Sequence, residues 1–246
     1  MATRMSEVML SVQGLKAWYG VAHILYDLAF EVRRGEVVAL MGRNGAGKST
    51  TLKALIGLLA RRDGDVTFLG EDISRLKPYE IARRGIGFTP EDRRIFSDLT
   101  VMENLDIGRQ PPRHFSDGQP APSWSVQKLF TLFPNLAEMP DRLGGSMSGG
   151  EQQMLTVART LMGNPLLVLL DEPSEGVAPI IVEQMANAIQ ELKKEGLSIL
   201  LCEQNFHFAQ LVSDRAYILE KGQLRWDGSM TDLMQDTAAQ RAFLAV

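Results

Sequence analysis

Five consecutive apolar residues, Val37-Val38-Ala39-Leu40-Met41, run into Gly42-Arg43-Asn44-Gly45-Ala46-Gly47-Lys48-Ser49, and no other junction in the chain restricts its fold as strongly. An unbroken apolar run of this length suits a strand buried on both faces, as in a parallel sheet. Glycines at this spacing let the backbone wrap an anion with its N–H groups pointing inward. The helix expected from about Lys48 to Leu59 adds the positive potential of its N-terminus. Gly, four residues, then Gly-Lys-Ser between a strand and a helix is the pattern of a phosphate-binding loop. In that role Gly42 through Thr50 cradle a nucleotide, Lys48 contacts the β- and γ-phosphates, and the Ser49 hydroxyl holds Mg²⁺.

The second half of such a site needs carboxylates. Leu166-Leu167-Val168-Leu169-Leu170 reads as another buried strand, and Asp171-Glu172 lie at its carboxyl end, where parallel sheets bind ligands. Asp171 is expected to hold Mg²⁺, and Glu172 to act as general base on an attacking water. Between and beyond these strands the pattern alternates. Val8 to Gln13, Asp65 to Leu69, Ile86 to Thr89, Leu197 to Leu201 and Ala216 to Leu219 read as strands, and Lys221-Gly222 as a turn into a last short strand ending near Trp226. Gly149 to Met162, Pro179 to Glu195 and Phe206 to Val212 read as helices. Alternating strand and helix predicts an α/β fold with a largely parallel sheet. The stretch from about Pro90 to Leu143 interrupts that alternation. It opens a short helix with a capping box at Thr100-Val101-Met102-Glu103. It then runs through the Pro-rich segment Gln110 to Ser123, expected to be an exposed loop, before a helix from Trp124 to Phe133. It reads as an inserted helical subdomain.

Bulk properties narrow the function. With 246 residues and 45% hydrophobic content the chain can bury an ordinary core. A formal net charge of -4 argues against a dedicated nucleic-acid binder, which would carry a basic surface. The single cysteine, Cys202, permits no internal disulfide and reads as a small buried hydrophobe. His23, His114 and His207 are scattered and are expected to be packed or solvated rather than metal ligands. No stretch approaches the ~20 apolar residues that span a bilayer, and the first ten residues lack a signal-peptide core. A cytoplasmic protein that docks on membrane partners is the expectation.

Met147-Ser148-Gly149-Gly150-Glu151-Gln152-Gln153 narrows the choice among phosphate-loop proteins. Ser148 and Glu151 have capping-box spacing, and the paired glycines leave the helix N-terminus bare for an anion. The segment resembles the signature of ABC-type ATPases, and the resemblance extends over nearly the whole chain. It implies a P-loop NTPase core of ABC type over approximately residues 1–90 and 144–246, with an N-terminal antiparallel β portion and a helical subdomain at approximately 91–143. It also implies ATP and Mg²⁺ as ligands and Tyr19 stacked on adenine. Ser148, Gly149 and Gly150 would face the ATP of a second cassette, a paralogue or a second copy, in a head-to-tail dimer. Ser174-Glu175-Gly176 falls where the family places its D-loop.

Two positions depart from the common ABC pattern. Glu91, in Phe88-Thr89-Pro90-Glu91, stands where glutamine is usual and would still offer an oxygen to Mg²⁺ or water. Gln204, in Cys202-Glu203-Gln204-Asn205, stands where a histidine is usual and would donate to the γ-phosphate at any pH. With Thr89 to Phe96 and the signature segment, these departures are similar to the shorter ATPase subunit of branched-chain amino-acid importers. Glu175 stands where that branch commonly has leucine. The resemblance implies membrane permease subunits, an indirect link to a solute-binding protein, and a place on the inner face of the cell membrane. The alternatives are a urea or amide importer, a lipid or lipopolysaccharide exporter, a non-transport ABC ATPase, and a small-molecule P-loop kinase. The kinase has no use for Ser148-Gly149-Gly150.

Overall fold

The computed structural model describes residues 7–244, arranged as two sheets with helices packed around them. The first sheet is antiparallel. Strand β1 (Val8–Tyr19) turns through Gly20 and Val21 into β2 (Ala22–Arg33), and β1 also pairs with β4 (Arg61–Phe68), which in turn pairs with the two-residue β5 (Glu71–Asp72). Strand β1 is twice the length read from sequence, and β2 has no counterpart in that reading. The physical reason is visible in the register, which shifts repeatedly along β1 and β2. Gly14 and Asp27 adopt positive φ there, +63° and +59°. Each bulge resets the two-residue alternation from which a strand is recognised.

The second sheet has the order β10-β9-β3-β8-β7-β6. Strands β3 (Val37–Met41), β6 (Ile86–Thr89), β7 (Leu167–Asp171), β8 (Ser198–Glu203) and β9 (Arg215–Glu220) are parallel, and β10 (Gln223–Ser229) closes the edge antiparallel to β9. Every residue of β3, β7 and β8 is buried, as their continuous apolar sequences require. The register places Met41 opposite Glu203 and Asp171 opposite Cys202. The loops after β3, β7 and β8 therefore leave the sheet on one edge.

Helix α1 (Lys48–Leu55) follows β3, and it is shorter than the sequence predicts. Gly57, with φ +76°, turns the chain out of the helix, and a Cβ there would press on the Leu76 carbonyl at 2.9 Å. Helix α2 (Pro78–Arg84) precedes β6 and has no counterpart in the sequence reading, although Pro78 in its first turn is a start signal. Helices α3 (Val101–Gly108), α4 (Val126–Leu132) and α5 (Pro134–Ala137) occupy the interrupted stretch. The Thr100 capping box forms as expected. Helices α6 (Gly149–Leu161), α7 (Pro179–Lys194) and α8 (Phe206–Val212) match the sequence reading within one residue. A further helix, α9 (Met230–Gln235), opens on a Ser229–Asp232 capping box that the sequence reading passed over.

The Gln110 to Ser123 segment forms no regular element beyond an isolated bridge between His114 and Pro120. It is nonetheless pinned at its centre. Phe115 and Ala121 are buried within the core cluster that the first sheet shares with one face of the second, and the Arg34 guanidinium lies 3.5 Å from the Phe115 ring centre.

Candidate active site

The loop after β3 wraps as its glycines dictate. Gly42 adopts φ +155°, and a Cβ there would collide with the Leu219 carbonyl of β9; Gly47, at φ +112°, would meet the Leu25 side chain of β2 at 2.8 Å. The loop is braced from outside by the β9–β10 turn. The Gly222 N–H donates to the Ala46 carbonyl (2.8 Å), and the Gly222 carbonyl accepts from Tyr26 N–H (2.8 Å). Gly222 itself is at φ +75°, with its Cα so close to the Ile24 carbonyl that no Cβ fits. The sequence reading saw a turn at Lys221-Gly222 but not that it supports the phosphate loop.

Lys48 is buried, 3% exposed. Its ammonium donates to the carbonyls of Gly42 (2.8 Å) and Arg43 (3.2 Å) and lies 3.0 Å from Glu172 Oε1. Ser49 Oγ donates to Asp171 Oδ1 at 2.8 Å, which joins the two halves of the site read separately from sequence. Burial pushes the Asp171 carboxyl up to about 6, against the Ser49 hydrogen bond. A divalent cation at this point would offset that cost of burial. Hydroxyl and carboxylate oxygens are the donors a Mg²⁺ ion takes, and it habitually completes its shell with substrate phosphates and water. The residues present therefore fit that ion with one carboxylate and one hydroxyl, since no group of three or more His, Cys, Asp or Glu side chains placed to hold a metal ion exists among the described residues.

A cleft of about 420 Å³ opens over the loop. Asn44, Gly45 and Gly47 to Thr50 form its floor; Tyr19 and Ile24 come from the β1–β2 hairpin, Glu91 from the segment after β6, and Glu172 and Glu175 from the turn after β7. Tyr19 sits at the hairpin tip, 48% exposed, at the edge of the cleft. Gln204, Ser148, Gly149 and Gly150 do not line this cleft. Ser148 caps α6 as predicted, accepting from Glu151 N–H at 3.3 Å, while Glu151 accepts from Ser148 N–H at 2.6 Å. Gly149 and Gly150 are closely approached by the Arg93 and Ile181 side chains.

One organising residue escaped the sequence reading. Glu203, 1% exposed at the end of β8, accepts from three backbone N–H groups: Ser174 (3.0 Å), Gln204 (3.1 Å) and Asn205 (3.2 Å). It thereby ties the turn after β7 to the turn that carries Gln204. Burial nevertheless leaves its pKa raised, with the backbone donors opposing. A carboxylate ending an apolar strand was its only sequence signal.

The ABC transporter family profile matches residues 25–175, more than half of the chain. This chain belongs to the ABC transporter family. It is 42% identical over 238 residues to the high-affinity branched-chain amino acid transport ATP-binding protein BraG of Pseudomonas aeruginosa, covering 96% of this chain and 99% of BraG. It is 35% identical to the lipopolysaccharide export system ATP-binding protein LptB of Escherichia coli, covering 96% of each. A crystal structure of an ATP-binding cassette of an ABC transporter in its ADP conformation superposes with a TM-score of 0.78 at 28% identity, over 96% of this chain and 98% of that one. As an ABC cassette the chain binds ATP and couples its hydrolysis to transport. No helix among the described residues is long and apolar enough to cross a membrane.

Proposed function

We propose that this cassette powers an importer of branched-chain or other hydrophobic amino acids from the inner face of the cell membrane. The observation that carries this reading is the similarity to BraG along almost the full length of both chains. Similarity to LptB supports lipopolysaccharide export as the second reading. Glu91 and Gln204 weigh against it, because the exporters usually keep glutamine and histidine at those positions.

In the proposed cycle ATP enters the cleft with its base against Tyr19 and its phosphates on the Gly42–Thr50 loop. Lys48 exchanges Glu172 for the β- and γ-phosphates, which frees the Glu172 carboxylate for water. Ser49 and Asp171 would hold Mg²⁺, with Glu91 beside them, and the bound ion would neutralise charge on the phosphates. A second cassette, paralogue or copy, brings its Ser148 and Gly150 onto the γ-phosphate; closure excludes bulk water. Glu172 takes the proton of the attacking water, and Gln204 donates to the γ-phosphate.

The segment after Glu91 links this cleft to the signature helix. Arg94 O accepts from Arg159 Nη2 at 2.6 Å, and Arg93 O accepts from Thr156 Oγ1 at 2.9 Å, both donors lying on α6. Helices α3 and α5, in the subdomain proposed at approximately 91–143, pack on α6, and α4 packs on α5. Nearby, an apolar groove of about 660 Å³ is lined by Ile56, Ile81, Phe88 and Ile107, with Arg83, Arg113 and Arg159 among them. It begins at β6, which leads into Glu91, and there we place the permease contact.

The deciding experiment reconstitutes the cassette with its permease in vesicles and supplies leucine-loaded binding protein. Leucine uptake that requires ATP is expected, and Glu172→Gln should abolish it while ATP still binds. Stimulation by lipopolysaccharide permease subunits in place of amino-acid permease subunits would reverse the order of the two readings.

A further inference from the structure

Glu172 works from an unfavourable backbone conformation. It carries a Cβ, yet its φ is +47°, a left-handed region that such residues keep only where their surroundings hold them in it. The pairing of β7 with β8 ends just before it, at Asp171 opposite Cys202. Glu172 N–H still reaches the Cys202 carbonyl, at 3.0 Å. Pro173 has no N–H to offer, so the next backbone donor is Ser174. Its N–H goes to a side chain, Glu203 Oε1, at 3.0 Å. Glu175 N–H then closes the turn on the Glu172 carbonyl at 3.1 Å. Glu172 is thus gripped from β8 on both sides, by a carbonyl at its own N–H and by a carboxylate two residues on.

The second oxygen of that carboxylate serves the other turn. Glu203 Oε2 accepts from Gln204 N–H at 3.1 Å and Asn205 N–H at 3.2 Å. Asn205 in turn caps α8, its Oδ1 accepting from Phe208 N–H at 3.1 Å. Glu203 is 1% exposed and does not line the nucleotide cleft. Burying a carboxylate is costly, and the three backbone donors offset that cost. A carboxylate only accepts, through two oxygens, so it can face donors on both turns at once. An amide, with one oxygen and one NH₂ group, cannot.

We propose that Glu203 is a positioning residue for ATP hydrolysis. One of its carboxylate oxygens holds the turn of Glu172 and the other holds the turn of Gln204. It thereby sets the spacing between the group that activates water and the group that meets the γ-phosphate. The inference rests on the roles given to Glu172 and Gln204 above. Glu203 lies outside the cleft and acts through the backbone at Ser174 and Gln204. Misplacing a reacting group by about 1 Å can cost about 100-fold in rate, so a link between the two turns bears on kcat. The phosphate loop and Tyr19 take no hydrogen bond from Glu203, and the affinity for ATP does not depend on it.

The test is steady-state hydrolysis by the cassette with its permease. Glu203→Gln should lower kcat about 10- to 100-fold and leave the KM for ATP unchanged. Partial unfolding would also lower the apparent kcat, so nucleotide-binding stoichiometry is measured on the same samples with a fluorescent ATP analogue and should equal that of the wild type. Glu203→Asp keeps both oxygens but is one methylene shorter. It no longer spans both turns and should lower kcat as well, whereas a role of the charge alone would spare it. Wild-type kcat in either variant overturns the positioning role. Should neither variant fold, amide hydrogen exchange of the wild type decides: Ser174, Gln204 and Asn205 should be protected alike, and a Ser174 amide exchanging as fast as an unstructured peptide overturns the link. Glu172→Gln tests the underlying reading separately. Undiminished hydrolysis by Glu172→Gln sinks the base assignment itself, while loss in Glu172→Gln without loss in Glu203→Gln sinks the positioning role alone.

Discussion

Lys48 shows how much of the site is decided by single groups. Its three ammonium hydrogens have three acceptors in the resting protein, two loop carbonyls and Glu172. Removing it takes one charge-assisted bond from a phosphate and leaves the buried Glu172 without its cation. Lys48→Ala should weaken ATP binding about 10- to 100-fold, measured with a fluorescent nucleotide; unchanged affinity would count against the phosphate role. Glu203 makes a different demand. A glutamine there keeps one acceptor oxygen for three backbone donors at two different oxygens. Glu203→Gln should destabilise the chain by about 1–3 kcal/mol in urea denaturation. It should also loosen the turn carrying Gln204, seen as faster amide exchange at Ser174 and Asn205.

At the scale of elements, the helical insertion is organised by a buried amide. Asn104 is fully buried. Its Nδ2 donates to the carbonyls of Phe96, Leu99 and Thr100, and its Oδ1 accepts from Phe96 N–H and Arg159 Nη1. The side chain thus shapes the approach to α3 and ties it to α6. Asn104→Ala should cost about 2–4 kcal/mol, since several buried backbone groups lose their partner together, and thermal denaturation reads the loss directly. The β9–β10 turn plays the same part for the phosphate loop. Gly222→Ala should raise the KM for ATP and lower stability by more than about 1 kcal/mol, because the new methyl group must displace the β2 backbone. Neither element advertised itself. The sequence analysis did not single out Asn104, and it read Gly222 only as part of a turn. Their importance lies in partners far along the chain, at Arg159 and Ala46.

At the scale of the molecule, the Pro-rich segment is a strap. Phe115 enters the core between the two sheets, Arg34 pairs with Asp117 at 2.7 Å, and Ser116 Oγ donates to Glu7 Oε1 at 3.0 Å. A segment leaving α3 is thereby fastened to the ends of β1 and β2. Phe115→Ala should destabilise the fold by about 3 kcal/mol, a cost that a loop lying free on the surface would not incur. The nucleotide site proposed above to be shared between two cassettes makes a second prediction at this scale. Ser148 lies outside the cleft that holds Lys48 and Glu172, so hydrolysis per molecule should rise with protein concentration until cassettes pair, and a rate unaffected by dilution would contradict pairing.

The phosphate loop, the acidic strand end and the signature cap were legible in the sequence because each is local. The glycine spacing, apolar run or capping pair that marks each one is confined to a short stretch of chain, and backbone sterics and hydrogen bonding act at that range. The buried parallel strands were legible for the same reason. The tertiary structure alone decided that Ser49 meets Asp171, that Glu203 ties two turns together, and that Gly222 braces the loop. Those contacts depend on which strand ends lie side by side and how closely a turn folds back, and strand order and bulges are set by packing of the whole chain rather than by any short run of residues.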